Sequence, residues 1–171
     1  MSRIDVALLM GSPSDWKHLE AAVLVLDELG LGYRVHVTSA HRTPQRTREL
    51  VKDAERAGCR VFICAAGMAA HLAGVVASET LRPVLGVPLP GGVLDGVDAL
   101  LSTVQMPGGV PVATFAVGSA GARNAAVFAA QMIATGRPAL AERLQVMRRA
   151  AEEKVEEGER ELLESLGRNR L

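Results

Sequence analysis

The sequence has few aromatic residues and no excess of charge of either sign. Only 3% of its 171 residues are aromatic, so few rings are available to stack on nucleic-acid bases. Lys and Arg total 19, as do Asp and Glu, which gives a formal net charge of zero. Without a basic excess, neither nucleic acid nor an anionic membrane surface is favoured as a partner. We therefore expect no nucleic acid and no membrane among its partners.

Cysteines and long apolar runs are also scarce. Cys59 and Cys64 are the only cysteines, they lack C-x-x-C spacing, and they lie in or beside an apolar run at 60–66. We therefore expect both to be reduced, structural thiols. No stretch is long and apolar enough to span a bilayer without charges or helix breakers, and Asp5 interrupts any signal-peptide core. These absences predict a cytoplasmic location.

What the sequence does contain is aliphatic residues arranged in alternating patterns. Hydrophobic residues make up 49% of the chain, and its length fits one domain. Strand-like runs at 4–10, 33–37, 61–65, 84–87 and 110–117 alternate with helical patterns at 16–29, 44–58, 69–79, 96–104 and 120–134. Thr43 is predicted as the N-cap of the second helix, with Pro44 at its first position. Continuous apolar strands between helices predict a parallel sheet covered on both faces.

The predicted fold is therefore α/β, a three-layer flavodoxin-like sandwich with a parallel five-stranded sheet and a long C-terminal helix. We expect residues 1–171 to form a single α/β domain, in which 138–171 is a C-terminal helical arm. An apolar stripe runs along this arm at Leu140, Leu144, Met147 and Ala151. The stripe suits either a solvated terminal helix or an arm laid across a neighbouring subunit. The sequence leaves both open.

Three loops should meet where ligands bind in such sheets, outside the carboxyl ends of the strands. The first, at 11–15, carries Ser12, Ser14 and Asp15 before a helix, which is typical of an anion site or of a simple helix cap. It matches neither the ATP-binding pattern G-x-x-x-x-G-K-[ST] nor the dinucleotide pattern G-x-G-x-x-G. A small phosphorylated metabolite is the ligand that remains favoured.

The second loop, at 39–43, combines Ser39, His41 and Arg42. A guanidinium can bind a phosphate through two parallel hydrogen bonds. Free imidazole has a pKa of about 6.5, which suits proton transfer near neutral pH. A histidine at a strand end is often only a polar loop residue, but the adjoining arginine favours a site.

The third loop, at 67–74, is built mostly from small residues. Small side chains allow the backbone to approach a ligand closely, although they also suit tight packing of a helix on the sheet. His71 taken alone is a polar residue near a helix start. His18 and His36 have no convergent partners in the sequence, and we predict no role for them.

In this order the segments resemble the 5-(carboxyamino)imidazole ribonucleotide mutases (class I) of purine biosynthesis. The resemblance covers about residues 6–135. The matching stretches are Met-Gly-Ser at 10–12 with Ser-Asp-Trp at 14–16, Ser-Ala-His-Arg-Thr-Pro at 39–44, Ala-Ala-His-Leu at 69–72, Pro-Val-Leu-Gly-Val-Pro at 83–88, Gln-Met-Pro-Gly-Gly-Val-Pro-Val at 105–112 and Asn-Ala-Ala at 124–126.

The resemblance implies a transfer of carboxylate from the exocyclic amine of an imidazole ribonucleotide to ring carbon 4, without cofactor or metal. It implies His41 as the general acid and base, Ser12 and Arg42 at the phosphate, and Asp15 at the ribose hydroxyls, with Ser14 and Ser39 in support. Small residues at 66–71 would enclose the imidazole and carbon dioxide. The further substrate-binding residues implied are Ala66, Gly67, Ala70, His71 and Leu72. A homo-octamer with active sites shared between subunits is also implied.

Two departures from the family pattern stand out. The usual loop reads G-G-A-A-H-L-P-G, whereas here Met68 replaces the second glycine and Ala73 replaces the proline. The segment at 89–93 also differs from the polar loop that is usual there. Both departures concern the shape of the pocket rather than the class of reaction.

Three other functions remain open at this point. A direct carboxylase would use aminoimidazole ribonucleotide and free carbon dioxide; that branch tends to carry Lys at the position of Arg42 and Asn at that of His71, so both residues here favour the mutase. A non-catalytic module for a phosphoribosyl or flavin nucleotide is disfavoured by the scarcity of aromatics. A purely structural subunit assembled through its terminal helix is the third alternative.

Overall fold

The computed structural model describes residues 4–168 and contains one parallel sheet of five strands. The strands are β1 (Val6–Met10), β2 (Tyr33–Val37), β3 (Val61–Gly67), β4 (Val84–Leu89) and β5 (Ala113–Thr114), in the order β2-β1-β3-β4-β5. The chain moves outward from β1 to β2 and then returns past β1 to β3. The loops at this change of direction open the crevice in which ligands bind.

Six α-helices cover the sheet. They are α1 (Trp16–Glu28), α2 (Pro44–Arg56), α3 (Leu72–Glu79), α4 (Val97–Val104), α5 (Ser119–Ala134) and α6 (Pro138–Arg168), and one 3₁₀ turn at Pro13–Asp15 precedes α1. The three-layer α/β fold with a long C-terminal helix is therefore confirmed.

The two faces of the sheet have separate cores, as the alternation of side chains along a strand requires. Val6 and Leu8 of β1 pack with α1, α5 and the base of α6, whereas Ala7 and Leu9 pack with α2 and α3. Helix α4 shares the second face: a Cβ on Gly86 of β4 would collide with Thr103 of α4. Glycine at this position lets α4 lie close against the sheet.

The structure differs from the prediction at several boundaries. Strand β1 begins at Val6 rather than at residue 4. Strand β5 has only two residues, not the eight-residue run predicted at 110–117, because it is an edge strand with Pro111 just before it. Gly67 ends β3 rather than opening a helix, and α3 begins at Leu72 instead of near Ala69.

Helix α6 contacts the body of the molecule only through its first turns. Leu140 is buried, and Leu144 and Met147 pack against the core, but all described side chains from 148 to 167 are exposed. Ala151 of the predicted stripe is exposed and lines a surface groove with Val127 and Gln131 of α5, rather than joining the core. Residues 169–171 of the predicted arm lie outside the described residues. A helix of this length extends about 46 Å, so roughly half of it projects beyond the body.

Both cysteines are free and buried. Burial raises the pKa of the Cys59 thiol to about 11 and also raises that of Cys64, so neither is a thiolate near neutral pH. Across residues 4–168 no helix is long and apolar enough to cross a membrane.

Candidate active site

A cleft of about 530 Å³ opens at the carboxyl edge of the sheet. It is formed by the turns that follow β1, β2, β3 and β4, so the three predicted loops converge there and a fourth joins them. Its wall consists of Gly11, Ser12, Ser14, Asp15, Ser39, Ala40, His41, Arg42, Ala66, Gly67, Met68, Ala69, His71, Leu72, Leu89, Pro90, Gly91 and Gly92.

The turn after β1 is held by a reciprocal pair of hydrogen bonds. The Ser12 amide donates to Oδ2 of Asp15 at 2.9 Å, and the Ser14 amide donates to Oγ of Ser12 at 3.3 Å. The hydroxyls of Ser12 and Ser14 also lie 2.8 Å apart. This capping box closes the 3₁₀ turn rather than α1, and it leaves both hydroxyls on the cleft wall.

The carboxylate of Asp15 is partly desolvated. Burial raises its pKa, and the amides of Ser12 and Gly11 oppose that rise. The nearby side chains of His18 and Lys17 also oppose the rise, more weakly than the two amides do. A half-buried carboxylate on a cleft wall is suited to accept hydrogen bonds from hydroxyl groups.

The turn after β2 is anchored by three threonine hydroxyls, of which those of Thr38 and Thr47 are buried and that of Thr43 is at the surface. Oγ1 of Thr38 lies 2.8 Å from that of Thr47 and 3.2 Å from that of Thr43. Thr43 occupies the N-cap position of α2, as predicted, but its hydroxyl bonds to the backbone of Ser39 and does not cap the helix. Together with a bond from the Arg42 amide to the Ser39 hydroxyl at 3.2 Å, this arrangement fixes the turn.

The anchored turn presents His41 and Arg42 to solvent at the cleft. Nε2 of His41 lies 2.7 Å from Nδ1 of His71, and the two rings meet edge to face with centroids 4.9 Å apart. The bond needs one N–H donor and one unprotonated acceptor, so at most one of the two rings carries a positive charge while it exists. The pair can therefore hold one mobile proton beside the cleft.

The third turn places most of the predicted residues on the wall. Ala66, Gly67, His71 and Leu72 line the cleft, but Ala70 does not: it is only 2% exposed and packs into the fold. The role predicted for Ala70 remains a prediction that the geometry does not favour.

Sequence reasoning missed several wall residues. Leu89, Pro90, Gly91 and Gly92 follow β4 and complete the cleft, although the sequence suggested only that this segment departs from a family pattern. The sequence signal that could have identified them is Pro-Gly-Gly at 90–92, a turn sequence that directly follows a buried strand. Gly11, Ala40, Met68 and Ala69 were not named as individual site residues, although the first two lie in predicted loops and the last two in the stretch 66–71 that was expected to enclose the imidazole.

One histidine for which no partner was expected has one. Nδ1 of His18 lies 3.1 Å from Oγ of Ser119, which joins the start of α1 to the start of α5. Neither residue lines the cleft, so the bond ties two helices together and leaves the predicted site unchanged. Among the described residues, no group of three His, Cys, Asp or Glu side chains is placed to hold a metal ion.

Comparison with known proteins finds a matching family model and similar proteins. A family model described as AIR carboxylase matches residues 5–154. The N5-carboxyaminoimidazole ribonucleotide mutase of Haemophilus influenzae is 51% identical over 143 residues, which cover 84% of this chain and 87% of that protein. The mutase of Escherichia coli K12 is 48% identical over 150 residues, covering 88% and 89%. That of Bacillus subtilis is 46% identical over 158 residues, covering 92% and 98%.

A solved structure has the same fold at lower identity. The crystal structure of Treponema denticola PurE superposes with a TM-score of 0.84 at 27% identity, covering 94% of this chain and 99% of that one. The family match ends at residue 154, whereas α6 continues to Arg168. The projecting end of α6 thus lies beyond the matched region.

Proposed function

The chain belongs to the AIR carboxylase family, and from that membership we propose that it is a mutase converting N5-carboxyaminoimidazole ribonucleotide to 4-carboxy-5-aminoimidazole ribonucleotide in purine biosynthesis. The observation that carries the proposal is the juxtaposition of a hydrogen-bonded histidine pair with serines, an aspartate and an arginine in one cleft. Relatives at about half identity bear the mutase name over most of the chain.

The substrate lies across the turns in the order of the strands. Ser12 and Arg42, from the turns after β1 and β2, contact the phosphate, and Ser14 and Ser39 support them. Asp15 accepts hydrogen bonds from the ribose hydroxyls. The imidazole then extends towards His41 and His71, with Ala66, Gly67 and Leu72 against its faces. This placement is supported by the presence of all these residues on one wall.

The chemistry needs one proton that leaves and returns. The bond between the exocyclic nitrogen and the carboxylate carbon breaks, its electrons go to the nitrogen, and His41 supplies a proton there to give aminoimidazole ribonucleotide and carbon dioxide. Carbon 4 of the ring then attacks the carbon dioxide, and neutral His41 removes the proton from that carbon. The net result is an isomerisation in which His41 ends protonated as it began.

His71 assists by its bond to His41. The hydrogen bond between the two rings orients the His41 imidazole that gives and takes the proton. While this bond exists, at most one ring of the pair can be charged. The reaction also requires the cleft to retain carbon dioxide, since gas that escapes ends the transfer.

The alternatives have less support. A direct carboxylase would use the same cleft, but the named relatives are mutases. A flavin module would need aromatic rings beside the flavin, and no Phe, Tyr or Trp of residues 4–168 lines the cleft. A purely structural subunit does not account for the paired histidines.

The test supplies N5-carboxyaminoimidazole ribonucleotide without bicarbonate and follows formation of the 4-carboxylate. We expect rapid conversion by the wild type and a loss of about 100-fold or more in His41→Asn, since general acid–base catalysis contributes at least that much. His36→Asn is the matched control, because His36 lies on β2 away from the cleft wall and should retain activity. Product formed only from aminoimidazole ribonucleotide and bicarbonate would instead establish the direct carboxylase.

Assembly forms a further part of the proposal. We propose a homo-octamer that shares active sites between subunits, with the single α/β domain of each chain extended by its arm at 138–171. Two features support it: exposed apolar side chains on α4 (Val97, Leu101 and Val104) and on the projecting half of α6 (Val155, Leu162, Leu163 and Leu166). Light scattering after gel filtration gives the mass directly, and truncation after residue 150 tests the arm.

We also propose a cytoplasmic location, where the buried thiols stay reduced.

A further inference from the structure

Thr43 connects the turn after β2 to helix α2. It occupies the N-cap position of the helix, and Pro44 follows it at the first helical position. The Thr47 amide donates to the Thr43 carbonyl at 3.1 Å, so the backbone of Thr43 is already tied to the helix. A threonine hydroxyl at an N-cap ordinarily accepts a bond from the second or third helical amide. The hydroxyl of Thr43 is directed to Ser39 instead.

The Thr43 hydroxyl bonds to both backbone polar groups of Ser39. The Ser39 amide donates to Oγ1 of Thr43 at 2.9 Å, and this Oγ1 donates to the Ser39 carbonyl at 3.1 Å. Its one proton is then used, so the Thr38 hydroxyl is the donor in the contact of 3.2 Å between the two threonines. One donated and two accepted bonds use the full capacity of a hydroxyl. Although Thr43 is exposed, its polar group is therefore committed to the start of the turn.

These bonds fix the direction in which the turn leaves the sheet. The Thr38 amide still donates to the Met10 carbonyl at the end of β1, at 2.9 Å, so the turn starts at Ser39. His41 follows two residues later, and its Nε2 reaches Nδ1 of His71 at 2.7 Å above the end of β1. A ring on an exposed turn keeps such a contact only while the turn points in one direction. The peptide at Ser39 sets that direction.

We propose that Thr43 is a positioning residue, which holds His41 against His71 through its two bonds to Ser39. The inference deepens the mutase reaction proposed above and rests on it for its kinetic test. Two further bonds close the turn: the Thr43 amide donates to the Ser39 carbonyl at 2.9 Å, and the Arg42 amide donates to the Ser39 hydroxyl at 3.2 Å. Neither needs the Thr43 hydroxyl. Its removal should therefore leave Arg42 in place and let His41 move.

The kinetic experiment replaces Thr43 by valine, which keeps the branched shape and removes the hydroxyl. Steady-state rates are measured with N5-carboxyaminoimidazole ribonucleotide. We expect kcat to fall about 10-fold, because a small misplacement of the group that transfers the proton slows the reaction strongly. KM should change little, because Arg42 stays in place. Thr43→Ser retains the hydroxyl and should return kcat towards the wild-type value.

Thr47→Val is the matched control. The Thr47 hydroxyl lies 2.8 Å from that of Thr38 and donates to the Thr43 carbonyl at 3.2 Å, behind the turn. Its loss removes buried bonds from the same cluster of threonines but leaves both bonds between the Thr43 hydroxyl and Ser39. This variant should therefore unfold more easily in urea and keep the wild-type kcat. The comparison separates the positioning of His41 from a general loss of stability.

A second measurement needs no substrate. When both rings are neutral, the bond between His41 and His71 requires the same tautomer in each: Nε2–H in both if His41 donates, and Nδ1–H in both if His71 donates. The ¹⁵N chemical shifts of histidine-labelled protein above neutral pH report these tautomers. We expect one shared tautomer in the wild type and in Thr47→Val, and a mixture in Thr43→Val.

The outcomes are distinct. An unchanged kcat in Thr43→Val, or unchanged tautomers in that variant, would overturn the inference while the mutase proposal stands. A fall of kcat in Thr47→Val as large as in Thr43→Val would also overturn it, because lost stability rather than the Thr43 hydroxyl would then be the cause. A wild type that converts no substrate would overturn the proposed function, and the tautomers would still decide whether Thr43 positions His41.

Discussion

Asp5 precedes β1 and Asp15 follows it, so the two carboxylates lie at opposite edges of the same sheet. Asp5 is 4% exposed, and its two oxygens bind the Arg137 guanidinium as well as the Gly32 amide. Asp15 is half-buried, and its Oδ2 accepts a hydrogen bond from the Ser12 amide.

The difference shows how one residue type serves two ends of a fold. At the amino edge, a buried carboxylate forms an ion pair with a guanidinium from the loop between α5 and α6. The hydrogen bonds that this carboxylate accepts stabilise the fold. At the carboxyl edge, amides orient the carboxylate and leave it facing a cleft. We therefore expect changes at Asp5 to alter stability and changes at Asp15 to alter activity.

The largest expected effect comes from Asp5→Ala. Removing one partner leaves the Arg137 charge without its carboxylate in a largely buried place, so we expect the free energy of unfolding to fall by about 3 kcal/mol. Urea unfolding measures the loss. Arg137→Ala should cost a similar amount, and the double variant less than the sum of the two. A full loss of activity in folded Asp5→Ala would contradict the division between the two edges.

Asp15→Asn should lower activity and leave stability nearly unchanged, the opposite of the result expected for Asp5→Ala. Asparagine can still accept from the Ser12 amide, so the turn should persist, but the charged acceptor that we propose for the ribose hydroxyls is lost. A hydrogen bond to a charged group is worth about 2 kcal/mol, which corresponds to about a 30-fold fall in kcat/KM. Steady-state kinetics beside a melting curve separate the two effects. An unstable but fully active variant would refute the assignment.

Thr47 is buried like Asp5 but lies, like Asp15, near the carboxyl edge of the sheet. It is fully buried, like Asp5, yet its hydroxyl bonds to Thr38 and to the carbonyl of Thr43 behind the turn that carries His41. Thr47→Val should lower the free energy of unfolding by about 1 kcal/mol, because a buried hydrogen bond is lost. Thr47→Ser keeps the hydroxyl and should restore the bonds. Equal unfolding free energies for the valine variant and the wild type would show that these bonds contribute nothing.

The smallest effect is a pH dependence at Asp15. Burial raises the pKa of this carboxyl above its ordinary value of 3.8, so the native state holds the proton more tightly than the unfolded chain. The wild type should therefore lose stability relative to Asp15→Asn as pH rises from below 3.8 through the native pKa, and the difference should then stay constant to neutral pH. Unfolding curves of both proteins between pH 3 and pH 7 test this. A gain in the stability of the wild type relative to Asp15→Asn as pH rises would contradict it.

Much of the fold follows from local pattern. Strand β2 begins and ends at the predicted residues, and β3 and β4 differ from prediction only by longer carboxyl ends. Those longer ends were missed because Gly67 and Pro88 are residue types that usually lie outside strands. The start of α3 was missed because the left-handed Met68 and the bond from the His71 amide to the Ala69 carbonyl form a turn that small, helix-favouring residues conceal.

The site was predictable as a set of loops but not as a set of contacts. The rule that ligands bind at the carboxyl ends of parallel strands placed His41, Arg42 and Asp15 together. It did not predict the bond between His41 and His71, because β2 and β3 are not neighbours: β1 lies between them, and the two side chains meet above its end. That contact depends on strand order, which no local pattern encodes.

The most direct test of the mutase account follows the carboxylate itself. N5-carboxyaminoimidazole ribonucleotide labelled with ¹³C in its carboxylate is converted in unlabelled bicarbonate buffer, and ¹³C NMR measures the label in the 4-carboxylate. The account predicts that nearly all of the label stays, because carbon dioxide is released and captured within one cleft. A product whose label has been diluted to the level of the buffer would mean that carbon dioxide is taken from solution, and a direct carboxylase would then be the correct description.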